Sequence, residues 1–228
     1  MLTPLQHAIA WVEIVLLSAL LAGLVLRRVG RVCPTFVAYI AGVLAADVAV
    51  AWRPELFQWE FWMGVEVLHA ALKFALAFEL SLRLFAGLPG ARATTQAAML
   101  LVAVLTLVAV LRAPPAPDSQ TLAQTLLPPV LKGTAWILGL VFGLVLWHRV
   151  PTHPLHRAIL RGLVPYLLLF TLALDTLRTF GWDVRLLASY GYTLSYQVVL
   201  LYWNAVVWRS HEEPPVAREV VRALQPWR

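Results

Sequence analysis

Between Phe61 and Phe85 the chain reads FWMGVEVLHAALKFALAFELSLRLF, an apolar run interrupted by Glu66, His69, Lys73, Glu79 and Arg83. A carboxylate, an imidazole and an amine so close together can bind a charged ligand, relay a proton or pair with one another. At 100° per residue the five ionisable groups fall within an arc of about 140°, with Val67, Ala71, Phe74, Phe78 and Leu82 opposite. That segregation predicts a helix with its charged side turned to protein and its apolar side to lipid. A charge left unpaired at mid-membrane costs roughly 2.5–3.5 kcal/mol on insertion scales, so partners are expected. Glu66 and His69, His69 and Lys73, and Glu79 and Arg83 all have helical spacing for pairing. Glu79 and Arg83, nearer one end of the span, read as a structural ion pair.

The elements that must position these groups follow from composition. Of 228 residues, 61% are hydrophobic and only 13% charged, and ten are tryptophans. A soluble domain carries about 25% charged residues, so the chain reads as an all-α polytopic membrane protein. Apolar runs bounded by charge, proline or glycine give seven spans, 7–26, 33–52, 60–84, 96–112, 130–148, 158–180 and 186–208, followed by a short tail, 209–228. The start, MLTPLQHAIAW, has no Lys or Arg before its apolar run, so the first span reads as a retained helix. The fourth span is the most purely apolar and is expected to face lipid, and RAPPAPDSQTLAQTLLPP reads as a proline-rich connection. The connections after the first, third and fifth spans, with the tail, hold twelve of the 18 Lys and Arg, while the other side holds Arg53, Arg112, Lys132, Arg178 and Arg185. By the positive-inside rule the amino terminus is outside and the tail cytoplasmic.

With that orientation, polar groups of six spans meet at one depth in the outer half. The expected ligand-binding set is Glu66, His69, Lys73, Asp47, Asp175, Arg178, Tyr192 and Tyr196, lining an outward-facing cavity. Lys132, Tyr190 and Ser195 lie at the same level, and Glu13 reads first as an interfacial carboxylate. The competing reading is that pairs such as Asp175 with Arg178 merely lock helices together. The second and sixth spans echo each other: each begins near a proline, carries an aspartate towards its outer end and exits at a tryptophan. A parallel three-plus-one-plus-three repeat would produce such an echo.

Recognised chemistries are absent. No lysine stands in the last span for a retinal Schiff base, and no protease motif occurs. His148, His153 and His156 have no common zinc spacing, so no metal site is expected. Cys33 is the only cysteine, which excludes an internal disulfide. No cofactor can be named and no catalytic motif marks an enzyme. The +6 net charge suits anionic headgroups rather than nucleic acid. Arg149, Arg157 and Arg161 are candidate partner or lipid contacts, and Gly139 and Gly143 form a small-xxx-small surface for packing or a homodimer.

The runs RRVGRVCPTFVAYIAG and FWMGVEVLHAALKFALAFELSLRLF, mainly within residues 25–90, resemble a set of bacterial seven-helix membrane proteins of no established activity. Phe36, Tyr39, Glu66 and Glu79 carry the resemblance. It implies a multi-pass protein of the bacterial plasma membrane and no substrate. The leading expectation is a sensory or ligand-binding module that signals through a separate partner. The alternatives are a small-solute or proton-coupled transporter and an accessory subunit of a larger complex.

Overall fold

The computed structural model describes residues 4–56, 58–87, 89–112, 119–180 and 185–209. Among these the fold is all-helical, with α1 (Pro4–Leu26), α2 (Pro34–Trp52), α3 (Trp59–Leu84), α4 (Pro89–Leu111), α5 (Ser119–Trp147), α6 (Pro154–Phe180) and α7 (Arg185–Trp208). Four of the helices open on proline, whose fixed φ and missing N–H suit a first helical position. Three helix starts differ most from the sequence reading, and the fourth helix begins at Pro89 rather than near 96. The fifth helix begins at Ser119 and runs through Pro128 and Pro129, because the intervening TLAQTLL is rich in good helix formers. The sixth begins at Pro154 rather than near 158, with Pro165 inside it. The rest of the proline-rich connection, 113–118, and the tail beyond Arg209 lie outside the described residues.

Among the described residues six helices are long and apolar enough to cross a membrane, which marks a multi-pass membrane protein. At 24 residues α7 has the length, but Tyr190, Tyr192, Ser195, Tyr196, Gln197 and Asn204 make it more polar, and it is not among the six. Large apolar side chains cover the outside. On α4, Leu100, Leu101, Val104, Leu105, Leu107 and Leu111 are all exposed, a surface suited to lipid and not to water.

The helices form a ring in the order α1, α2, α3, α5, α6, α7 and back to α1, with α4 outside against α5 and α3. The ring is thus two consecutive triplets, α1–α2–α3 and α5–α6–α7, joined at α3 with α5 and at α7 with α1. Exchanging the triplets leaves the order unchanged. At the seam between α7 and α1, Gln197 Nε2 donates to Ile9 O at 3.1 Å, Asn204 Nδ2 to Leu16 O at 3.0 Å and Trp208 Nε1 to Ala19 O at 3.3 Å. The paired numbers rise together, so these two helices run parallel. Two of the residues that make α7 polar, Gln197 and Asn204, thus donate to backbone carbonyls of α1.

Trp203 is the pin between the triplets. It is fully buried, its Nε1 donates to Ala158 O at 2.9 Å, and its ring meets Phe36 edge-on at 5.0 Å. Gly162 lets α6 come this close, because a methyl there would lie 2.6 Å from Trp203 Nε1 and 2.9 Å from Val199 Cγ1. Gly139 and Gly143 are different: a methyl at either would meet nothing within 4 Å, so they are not packed against another helix of the chain. Gly162→Ala is expected to lower stability by roughly 1–3 kcal/mol through overpacking, since the hydrogen bond and Phe36 hold Trp203 in place. Gly143→Ala, on open surface, is expected to change it by less than about 0.5 kcal/mol. Unfolding of both purified variants in detergent measures the difference, and equal effects would contradict this packing.

Candidate functional site

The ionisable face of α3 turns inward. Lys73 is only 5% exposed, whereas Val67, Phe74 and Phe78 on the opposite face are exposed at 63%, 39% and 45%. Lys73 Nζ stands 5.9 Å from the centroid of the buried Tyr39 ring of α2. His69, one turn earlier, meets the same ring edge-on at 6.1 Å and reaches the Gly42 carbonyl. Glu66 is near enough to act on Lys73, but no carboxylate forms an ion pair with it: among the described residues the ion pairs are Arg83–Glu79 and Lys132–Asp175. A buried ammonium without a close counter-ion is costly in hydrocarbon unless something else meets it.

Polar groups of α1, α2 and α7 complete the cluster. The Glu13 carboxyl is near enough to Asp47 to act on it through charge, and both act on the Tyr39 hydroxyl. The Tyr39 and Tyr196 hydroxyls face one another across α2 and α7, yet no group meets Tyr196 OH at hydrogen-bonding geometry. Asp47 Oδ2 and His69 Nε2 are likewise buried without a partner. Beyond Tyr196 runs an aromatic wall: Tyr166 lies 5.0 Å from Tyr196 and stacks on Phe170 at 6.1 Å, and Phe170 meets Tyr192 at 5.1 Å. Glu66, His69, Lys73, Asp47, Tyr192 and Tyr196 thus belong to one region of the ring, and Glu13 joins them as more than an interfacial group. Tyr39, Tyr166 and Phe170 were not in the expected ligand-binding set. Their signal was the four-residue spacing of Tyr166 with Phe170, matched by Tyr192 with Tyr196 on the neighbouring helix.

Asp175 has a different partner from the one its own helix offers. Lys132 Nζ of α5 donates to Asp175 Oδ1 at 2.7 Å, with the two side chains 42% and 48% exposed. The side chain of Arg178 lies outside the described residues.

At the other end, where the basic connections gather, the polar groups are paired. Arg83 Nε lies 2.7 Å from Glu79 Oε1, and Glu79 Oε2 accepts the Thr35 N–H at 2.9 Å and the Cys33 thiol at 3.6 Å. Glu79 therefore caps the first turn of α2 from α3, where free N–H groups and the helix dipole favour an anion. His156 Nε2 donates to Val32 O at 3.1 Å, and the His153 ring lies 5.9 Å from it. Arg157 Nε donates to Thr152 Oγ1 at 3.2 Å, while Arg161 and Arg149 are exposed, Arg149 with φ of 48° just past the end of α5. No group of three His, Cys, Asp or Glu side chains able to hold a metal occurs among the described residues.

Compared with protein-family models, curated proteins and solved structures, the chain matches none. The site must therefore be read from its own geometry.

Glu79 is 13% exposed and capped by three groups, whereas the Lys132–Asp175 pair is half in solvent or headgroups. Glu79→Ala is expected to cost roughly 1–3 kcal/mol by leaving the Thr35 N–H and Arg83 unmet. Asp175→Asn is expected to cost less than about 1 kcal/mol, as exposed ion pairs do. Detergent melts of the two variants rank them, and the reverse order would refute the capping role.

Proposed function

We propose that the chain is a seven-span protein of a bacterial plasma membrane that holds a small polar ligand between its helices and passes the binding event to a separate partner. The observation that carries this reading is the cluster around Lys73: among the described residues, a buried lysine without an ion pair lies beside buried Asp47 Oδ2, His69 Nε2 and Tyr196 OH, none of which has a partner at hydrogen-bonding geometry. Leaving a buried polar group unmet costs about 1–3 kcal/mol each, and a bound polar ligand would recover that. Charged and aromatic lining together suit a molecule with both a polar head and a flat or apolar body. In this reading α7 is the seventh span, since Gln197, Asn204 and Trp208 donate to carbonyls of α1. The excess of Lys and Arg places the amino terminus outside and the ligand site in the outer half. Arg149, Arg157 and Arg161 then face the cytoplasm, where a protein partner or lipid would meet them. The open Gly139 and Gly143 face of α5 suits contact with a second copy.

Native mass spectrometry of the protein, gently extracted from its own membranes, tests the ligand. A small-molecule mass is expected on the unaltered chain and is expected to be lost in Lys73→Met and Asp47→Asn, with folding unchanged. A bare chain in every case would sink the proposal. The orientation is tested separately by single cysteines in a Cys33→Ala background. Glu55→Cys is expected to react in intact cells with a membrane-impermeant maleimide, and Thr152→Cys only after lysis. The opposite pattern would invert the topology.

A second reading, a small-solute or proton-coupled transporter, is favoured by two observations. The ring consists of two similar triplets meeting at two seams, an arrangement that can rock about a central site, and two carboxyls, Glu13 and Asp47, lie near enough to interact through charge beside that site. Uptake into proteoliposomes that follows an imposed pH gradient and disappears in Asp47→Asn would bring transport to the front.

A further inference from the structure

A groove of about 260 Å³ opens at the basic end, where α1 and α7 finish side by side, lined by Arg27, Val29, Val207 and Arg209. We propose that this groove is a binding site for the phosphate of an anionic lipid headgroup, independent of the intramembrane cluster. Arg27 is already held in place. Its Nη1 donates to Arg209 O at 2.9 Å, and its guanidinium lies 5.9 Å from the centroid of the Trp208 ring, whose own Nε1 donates to Ala19 O at 3.3 Å. That leaves most of the planar fork of N–H donors free to face an oxyanion, and a fixed guanidinium loses little entropy on binding one.

Arg209 brings a second guanidinium to the same groove, and among the described residues neither arginine is in an ion pair. Two cations sharing one concavity repel each other until an anion sits between them. Phosphate is the natural one, since its oxygens match guanidinium forks in geometry and charge. Val29 and Val207 make the remaining lining apolar, which suits the glycerol beside a lipid phosphate better than a hydrated free ion. Above the groove on α1, Val25 and Leu26 are exposed at 60% and 72%, a track on which an acyl chain can lie, and Trp208 at the rim is 44% exposed at the level where tryptophan prefers headgroups.

The test reconstitutes the full chain in phosphatidylcholine nanodiscs containing a minor fraction of phosphatidylglycerol and counts retained lipid by native mass spectrometry. The unaltered protein is expected to retain phosphatidylglycerol selectively. Arg27→Gln with Arg209→Gln is expected to reduce that retention about tenfold or more, as loss of charge-assisted hydrogen bonds does. Arg53→Gln with Arg112→Gln, the same change of net charge on exposed arginines at the opposite end, is expected to leave it unchanged. Arg27→Lys, which keeps the charge but not the fork, is expected to fall between. Competition with inorganic phosphate separates the sources: displacement only at far higher concentration supports the lipid, and displacement at comparable concentration assigns the groove to free phosphate instead. Equal retention by the Arg27 and Arg209 variant and the unaltered chain, with the same circular dichroism, would overturn the site. So would an equal loss in the Arg53 and Arg112 control, since net charge alone would then explain the binding.

Discussion

Hydrocarbon offers no hydrogen-bond partner, so every polar group that the chain carries into the membrane must find one in the chain or be met by something else. Helices settle the backbone, and the side chains are where the constraint shapes this fold. Its effect is plainest on α7. Gln197, Asn204 and Trp208 would be a burden in lipid, and each donates to a carbonyl of α1. Trp203, on another face of the helix, does the same towards α6. The helix with the most polar side chains is thereby the one fastened on both sides, and the ring closes through it.

The same constraint sorts the ionisable residues into two populations. Glu79 receives a guanidinium, a backbone N–H and a thiol, so its charge stabilises the junction of α2 and α3. Asp175 has Lys132. These groups explain themselves as architecture. Lys73, Asp47, His69 and Tyr196 do not: they are buried or half-buried, they come from three helices, and they lack the partners that the others have. Apart from Asn204 Oδ1, the buried side-chain atoms that meet neither a hydrogen bond nor an ion pair among the described residues gather near Lys73, and most of the cost lies there. That concentration, rather than the mere presence of charge in a span, distinguishes a site from a clamp.

Much of this was legible in the sequence wherever one helix sufficed to see it. The angular arc of α3 told which side would be buried, and the spacing of Glu79 and Arg83 told of their pair. The purely apolar fourth span announced a helix with little to pack against. What depended on a neighbouring helix was not legible. Asp175 was read against Arg178 on its own helix because spacing along one chain segment cannot reveal Lys132 on another. Gly139 and Gly143 had the familiar small-residue spacing, yet it is Gly162 that lets two helices approach, because contact requires a large side chain such as Trp203 to arrive opposite. Prolines misled at Pro128 and Pro129, since a membrane helix can continue past a lost hydrogen bond when its surroundings hold it.

The two triplets share an order of helices but not a distribution of charge, and the difference bears on where function resides. Asp47 and Asp175 each lie in the last two turns of the middle helix of their triplet, facing the first helix of that triplet. In the second triplet the residue opposite is Lys132, and the carboxylate is neutralised. In the first triplet it is Glu13, another carboxyl, so the position lacks the cation that its counterpart has. The nearest buried cation, Lys73, belongs to α3 and faces Tyr39 instead. A group with positive charge or hydrogen-bond donors, arriving between Glu13 and Asp47, would supply there what Lys132 supplies in the second triplet.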